Sequence, residues 1–324
     1  MGKLKRLFSV LLIFTVVLNL VACKSNKSGN SSQSNKKTAV VEKKECPLLW
    51  RATDREGREI YFFGTIHLGD KSNKEVLNRL QPYLKKCDAL AVEFDTEAYQ
   101  KDISKQQSDL KMFIYEDGTT VEDHISKELY TKMKEFLKKE HKYSKYYEYL
   151  SPAFWEMIIS QILAEKSGLS LKKAMDTLLI KDAYSAKRKV LEVESSDLQY
   201  RLITGIPDEY YTVAIQSELD NSDEFPDKIK TLHSKWLKGD QEDIIKFLEQ
   251  DEYENLTEEE EKLVEKYDKV MVSERNRGMA KKAMEYIESG KTVFFAVGTM
   301  HFLGDDGIVA LLKKEGFKFE RVYY

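Results

Sequence analysis

Proline and cysteine are both scarce in this chain, five and three in 324 residues, and histidine is no more common than proline. So few prolines leave room for long helices. The formal net charge of −3 includes no domain-wide positive excess, which speaks against a nucleic-acid binder. No nucleotide-binding glycine loop, HExxH helix or GxSxG elbow occurs. The familiar nucleotide-hydrolase and protease templates are therefore absent, and serine or thiol nucleophiles have no local support. Core material is ample, with eighteen Tyr and fifteen Phe. At 42% apolar and 33% charged residues, the composition suits a helix-rich globular protein with a polar surface.

Two of the five histidines share one context. IYFFGTIHLGD at 60–70 and TVFFAVGTMHFLGDDG at 292–307 each read as an apolar strand, then Gly-Thr-x-His, then Gly-Asp. The run Thr292 to Val297 is apolar on both faces, as in a buried strand. Behind it, Ile308 to Glu315 reads as a helix closed by Gly316. Strand ends that present polar side chains on glycine turns are where open α/β sheets place chemistry.

The chain opens with a targeting pattern at residues 1–23. Lys3, Lys5 and Arg6 precede an apolar run, Leu7 to Leu18, that is too short to span a bilayer comfortably. Leu20-Val21-Ala22-Cys23 resembles the bacterial lipobox. That resemblance implies a diacylglycerol thioether on Cys23, cleavage before it, and a protein anchored to the cell membrane on its extracytoplasmic face. An ordinary signal peptide with an incidental cysteine is the alternative. Residues 24–44 hold six Lys and one Glu among Ser and Asn, and read as a disordered tether.

A folded region is expected over 45–324. Leu48 to Ala52 and Glu59 to Phe63 form a hairpin around Asp54 to Gly57. A helix at 74–86 leads to the strand DALAVEFD, 88–95, parallel to the first motif's strand. Period-two spacing puts Glu93 and Asp95 at the end of that strand on one face. Helices are expected over Glu122 to His141, from Pro152 towards Gly168, and from Leu171 towards Ala186. KVLEVES, 189–195, brings Glu194 to a strand end. Helices resume over 207–290, with a solvated acidic face at 249–261. Cys46 and Cys87 suggest a disulfide in an extracytoplasmic compartment, buried free thiols being the alternative.

His67 and His301 can converge if their strands lie close together. With Glu93 they would make a facial three-ligand set for a divalent metal, such as a hydrolytic site uses. Capping of each strand end by its histidine is the bland alternative. On the helix at about 268–289, Arg275 shares a face with Val272 and Met279, so it points inward and needs an anionic partner. Glu194 is open to three roles: general base, outer-shell partner of a histidine, or counter-ion of Arg275. Asp70 and Asp305 read as helix N-caps. His124, His141 and His233 read as surface residues.

The paired GTxH motifs with ALAVEFD between them resemble the TraB/GumN family, which includes pheromone-shutdown proteins and is related to the Tiki metalloproteases. Weaker marks are GTTVEDHI at 118–125, SPAFW at 151–155, AMD at 174–176, KVLEVES and ERN at 274–276. The resemblance spans roughly 46–322. It implies His67 and His301 as the motif histidines, Glu93 as the glutamate after the second strand, Arg275 as the penultimate-helix arginine and Glu194 as the mid-chain glutamate. Manganese, cobalt or zinc is the implied cofactor. The expected fold is an α/β core, a small mixed sheet of two strand–GxxH–helix units carrying a large helical insertion at about 97–186 and 207–290. The expected function is a membrane-anchored metal-dependent hydrolase acting on peptides, with Arg275 or Glu194 assisting charge and proton movement. The rival is a non-catalytic lipoprotein that captures a peptide or small ligand, haem included.

Overall fold

The computed structural model describes residues 45–250 and 256–324. The leader 1–23 with Cys23, the linker 24–44 and positions 251–255 of the acidic stretch lie outside the described residues. Six strands form one mixed sheet: β1 (Leu49–Thr53), β2 (Glu59–Thr65), β3 (Ala89–Val92), β4 (Lys189–Glu192), β5 (Val293–Gly298) and β6 (Lys318–Arg321). Their order is β4-β3-β5-β2-β1-β6. The four strands from β4 to β2 run parallel, while β1 pairs antiparallel with both β2 and β6. β5 is buried along its whole length, as its unbroken apolar run requires for a central parallel strand. The predicted hairpin is present, and β3 runs parallel to β2, but β5 lies between them.

Alternation along the strands divides the core between two faces. One face presents Tyr61, Phe63, Leu90 and Phe294 to the helices Lys71–Leu84, Met175–Ser185 and Phe225–Lys238. The other presents Phe62, Ala91, Phe295 and Val297 to a larger helical body that includes Pro152–Lys166 and Arg275–Glu288. Among the described residues no helix is long and apolar enough to cross a membrane.

Several expectations need correction. Cys46 and Cys87 are both buried free thiols. Cys46 precedes β1 and Cys87 precedes β3, three strand spacings away, ~14 Å. Because β1 runs against β3, the two thiols also start from opposite ends of the sheet. Glu93 and Asp95 do not work as a pair, because β3 ends at Val92 and the chain bends at Glu93 and Phe94. Asp95 instead caps the short helix Thr96–Tyr99 and accepts from Tyr184 Oη. The helix expected over 122–141 breaks at Ser126, which caps Lys127–Lys139 through its own side chain. Asp70 is an N-cap as expected, but Asp305 is exposed and Gly307 occupies the cap of Ile308–Lys314. His233 is buried on the stripe Phe225, Ile229, His233, Trp236, where its Nε2 pairs with Asn73 Oδ1 at 2.7 Å.

One buried pair has no role in the sheet. Glu156 on Pro152–Lys166 and Glu218 on Asp208–Asp220 both meet Ser160 Oγ, whose single proton cannot serve two carboxylates. The two carboxyls also lie close enough to hydrogen-bond each other when one of them is protonated. Burial pushes both carboxyls up, Glu218 to about 8. A raised carboxyl pKa means that this site's stability is fully present below about pH 4.5 and is lost as pH rises towards 8. Glu218→Gln should therefore raise the melting temperature by a few degrees near pH 8 and by little near pH 5. Thermal melts at the two pH values test this, and equal shifts would refute it.

Candidate functional site

The carboxyl ends of the four parallel strands converge on one buried cluster. β2 leads to His67, β3 to Glu93, β4 to Glu194 and β5 to His301. The doubled Gly-Thr is what aligns the two histidine turns. Parallel pairing of β2 with β5 sets Gly64 opposite Val297 and Thr65 opposite Gly298. A Cβ on Gly64 would lie 2.6 Å from Thr299 Oγ1, and that hydroxyl donates to Thr65 O at 2.9 Å. The two motifs therefore pack on each other, with glycine required where the turns touch.

Glu93 is the hub. Its Oε1 lies 3.7 Å from His67 Nε2 and 4.0 Å from His301 Nε2, and accepts from Gly298 N at 3.0 Å. Its Oε2 accepts from Arg275 Nη2 at 2.8 Å and from Gln199 Nε2 at 3.0 Å. Arg275 grips Glu194 with two nitrogens, Nε at 3.0 Å and Nη2 at 2.6 Å, and Nη1 donates to Met271 O. Met271 belongs to a π turn, Val270–Glu274, between the helix Glu258–Lys269 and the helix Arg275–Glu288. Such turns recur at functional sites because they shift the helical register that aims a side chain. Arg275 is only 5% exposed, as its place on the apolar stripe predicted. Of the roles open to Glu194, the geometry shows that of counter-ion.

Each histidine is held through Nδ1. His67 Nδ1 donates to Asp176 Oδ2 at 2.9 Å, and Asp176 Oδ1 accepts from Thr65 Oγ1 at 2.6 Å. His301 Nδ1 meets Asn276 Oδ1 at 2.7 Å, with Asn276 Nδ2 fixed on Asp306 O. An acceptor on Nδ1 selects the tautomer whose Nε2 carries a lone pair, the usual state of a metal-bound imidazole. His67 Nε2 is buried with no hydrogen-bond partner. Burial depresses the pKa of His67, but the nearby Asp176 and Glu93 charges outweigh it and hold the imidazole up at about 9. Burial likewise opposes ionisation of Asp176, yet His67 and Thr65 keep its carboxyl below the usual range.

The cluster fits a divalent cation in charge and donor type. Arg275 pairs with Glu93 and Glu194, and Asp176 pairs with His67, so the buried cluster keeps one excess negative charge when His67 is protonated and two when it is neutral. Ligands of one small cation sit roughly 3.0–3.5 Å apart, so the gaps of 3.7 and 4.0 Å need only a slight closure. As they stand, no group of three His, Cys, Asp or Glu among the described residues is close enough to form a finished cation cage.

The model of the TraB/PrgY/gumN family matches residues 48–321. The chain belongs to that family. No curated protein and no solved structure matches it. The match runs from the first strand of the sheet to the last, so the converging strand ends are part of the TraB/PrgY/gumN domain itself.

Asp176, Asn276 and Gln199 were not assigned roles from the sequence. Asp176 and Asn276 lie inside AMD and ERN, short stretches whose resemblance to the family was the available signal. Gln199 had none. Removing the central cation should be costly: Arg275→Ala leaves Glu93 and Glu194 buried without their partner, a loss of about 3–5 kcal/mol. Arg275→Lys should recover only part of this, lacking the planar fork. Urea unfolding reads both, and wild-type stability in Arg275→Ala would show that the ion pair carries no weight.

Proposed function

We propose that this TraB/PrgY/gumN protein is a metal-dependent hydrolase of peptides, anchored by lipidated Cys23 to the outer side of a cell membrane. His67, Glu93 and His301 would hold one divalent ion, manganese, cobalt or zinc. The observation that carries this reading is a buried nitrogen, His67 Nε2, that makes no hydrogen bond among the described residues and lies 3.7 Å from Glu93 Oε1, the same oxygen that lies 4.0 Å from His301 Nε2. Bound there, a divalent ion supplies Lewis-acid polarisation of a carbonyl and a lowered pKa for water. The chain's own residues do the positioning. Asp176 and Asn276 orient the imidazoles, while Arg275 and Gly298 N fix the two oxygens of Glu93. Arg275 and Glu194, paired with each other beside Glu93, would assist charge and proton movement from that position. Ligand capture without turnover is the second reading, favoured by the apolar cavity that adjoins His67.

Elemental analysis of the full chain after reconstitution with manganese, cobalt or zinc should find one equivalent, lost in the His67→Ala/His301→Ala double variant. Equal metal content in the two would sink the metal site. Asp176→Asn should weaken metal affinity about 10–100-fold with the fold retained. For the anchor, Cys23→Ser should abolish labelling by a radioactive fatty acid in cells and release the protein from the membrane fraction. Unchanged labelling would remove Cys23 as the acceptor.

A further inference from the structure

A cavity of about 60 Å³ lies beside His67, which is the one member of the set His67, Glu93 and His301 that lines it. Its walls are Ile229, Leu232 and Trp236 from the helix Phe225–Lys238, Ile244 from Gln241–Gln250, and Met300 from the second histidine turn. Thr65 and Thr299 also border it, but both hydroxyls are turned away into hydrogen bonds with Asp176 and Thr65 O. Trp236 Nε1 is likewise engaged, donating to Gly64 O at 2.9 Å. What faces the space is therefore carbon, with the His67 imidazole at one side. Ile66 and Leu232 are only half-buried, so the cavity has a mouth at the surface.

We infer that this cavity is the side-chain pocket for an aliphatic residue of a peptide, with Ile244 and Trp236 setting the size it accepts. The inference rests on the hydrolase reading for the statement that the ligand is a peptide. A water occupies about 10–15 Å³ on this measure, so the space matches about four to six heavy atoms. The isobutyl group of leucine fits that room, as does the methionine side chain. A lysine side chain would leave its ammonium among apolar walls with no counter-charge. An aromatic ring overfills the space. With a leucyl side chain seated there, the adjoining backbone lies at His67, beside the cluster.

Binding of N-acetyl-leucinamide, N-acetyl-glycinamide and N-acetyl-phenylalaninamide to the full chain in chelator tests this without turnover, by calorimetry. Wild type should prefer the leucyl over the glycyl compound by about tenfold or more. Ile244→Phe, which fills the pocket, should abolish that preference. Ile244→Ala, which enlarges it, should move the preference to the phenylalanyl compound, and this variant decides the matter if Ile244→Phe does not fold. Equal binding of the three by wild type, or an unaltered preference in the folded variants, would overturn the inference. Cleavage-site mapping on a peptide mixture with added metal separates it from the hydrolase reading. Selective binding without any cleavage keeps the pocket and removes the hydrolase. Cleavage indifferent to the neighbouring side chain and to Ile244 removes the pocket and keeps the hydrolase.

Discussion

A single buried guanidinium holds the functional end of this sheet together. Arg275 reaches Glu93 at the end of β3 and Glu194 just past β4, and it anchors itself on Met271 O within its own helical stack. An arginine this deep is tolerable only because its carboxylate partners and the carbonyl share its donors, and the carboxylates are tolerable only because of it. That mutual dependence locks the helix Arg275–Glu288 to two strands that are neighbours in space and about a hundred residues apart in sequence. The π turn before Arg275 belongs to the same constraint, since it contains Met271, whose carbonyl accepts from the guanidinium.

Charge balance then organises what lies around the guanidinium. One cation cannot neutralise Glu93, Glu194 and Asp176 together, so the surplus is felt by the imidazoles. It raises the basicity of His67 against the opposing effect of burial. The same surplus is what a divalent ion would satisfy, taking the place of the Nε2 proton of His67 while Asp176 and Asn276 hold Nδ1 of the two imidazoles. Protonated imidazole and bound cation are thus alternative answers to one electrostatic demand. Glu156 and Glu218, elsewhere in the helical body, meet the opposite situation: burial, and for Glu156 the neighbouring Glu218 charge, favour the protonated carboxyls.

Much of this was readable from residue order. Uninterrupted apolar runs marked β2 and β5, a doubled Gly-Thr-x-His marked the two turns, and the stripe Val272, Arg275, Met279 marked the inward arginine. These signals are local, and each depends on a period or a turn. The failures were those of context. His233 looked like a surface residue among lysines, yet the face of its helix placed it beneath Trp236. Glu93 and Asp95 looked paired by period two, but the period lapses when a strand stops pairing. Cys46 and Cys87 looked like a bridge because nothing in the sequence says that two other strands separate the strands they precede. Gln199 had no signal, since its value lies in reaching two carboxylates at once.

The family resemblance alone joined Glu194 and Arg275 to His67, Glu93 and His301, but the sequence by itself determined the α/β class, the strand–turn–histidine units and the inward face of Arg275. Those follow from short-range periodicity and from residue types that a core admits only with partners. The tertiary structure alone decided the strand order, and with it which groups touch. Inserting β5 between β3 and β2 makes the two histidines neighbours, places Glu93 against both, and leaves Glu194 to Arg275. Strand order is a property of long-range pairing, whose free energy comes from packing between segments far apart in the chain. No local pattern encodes it.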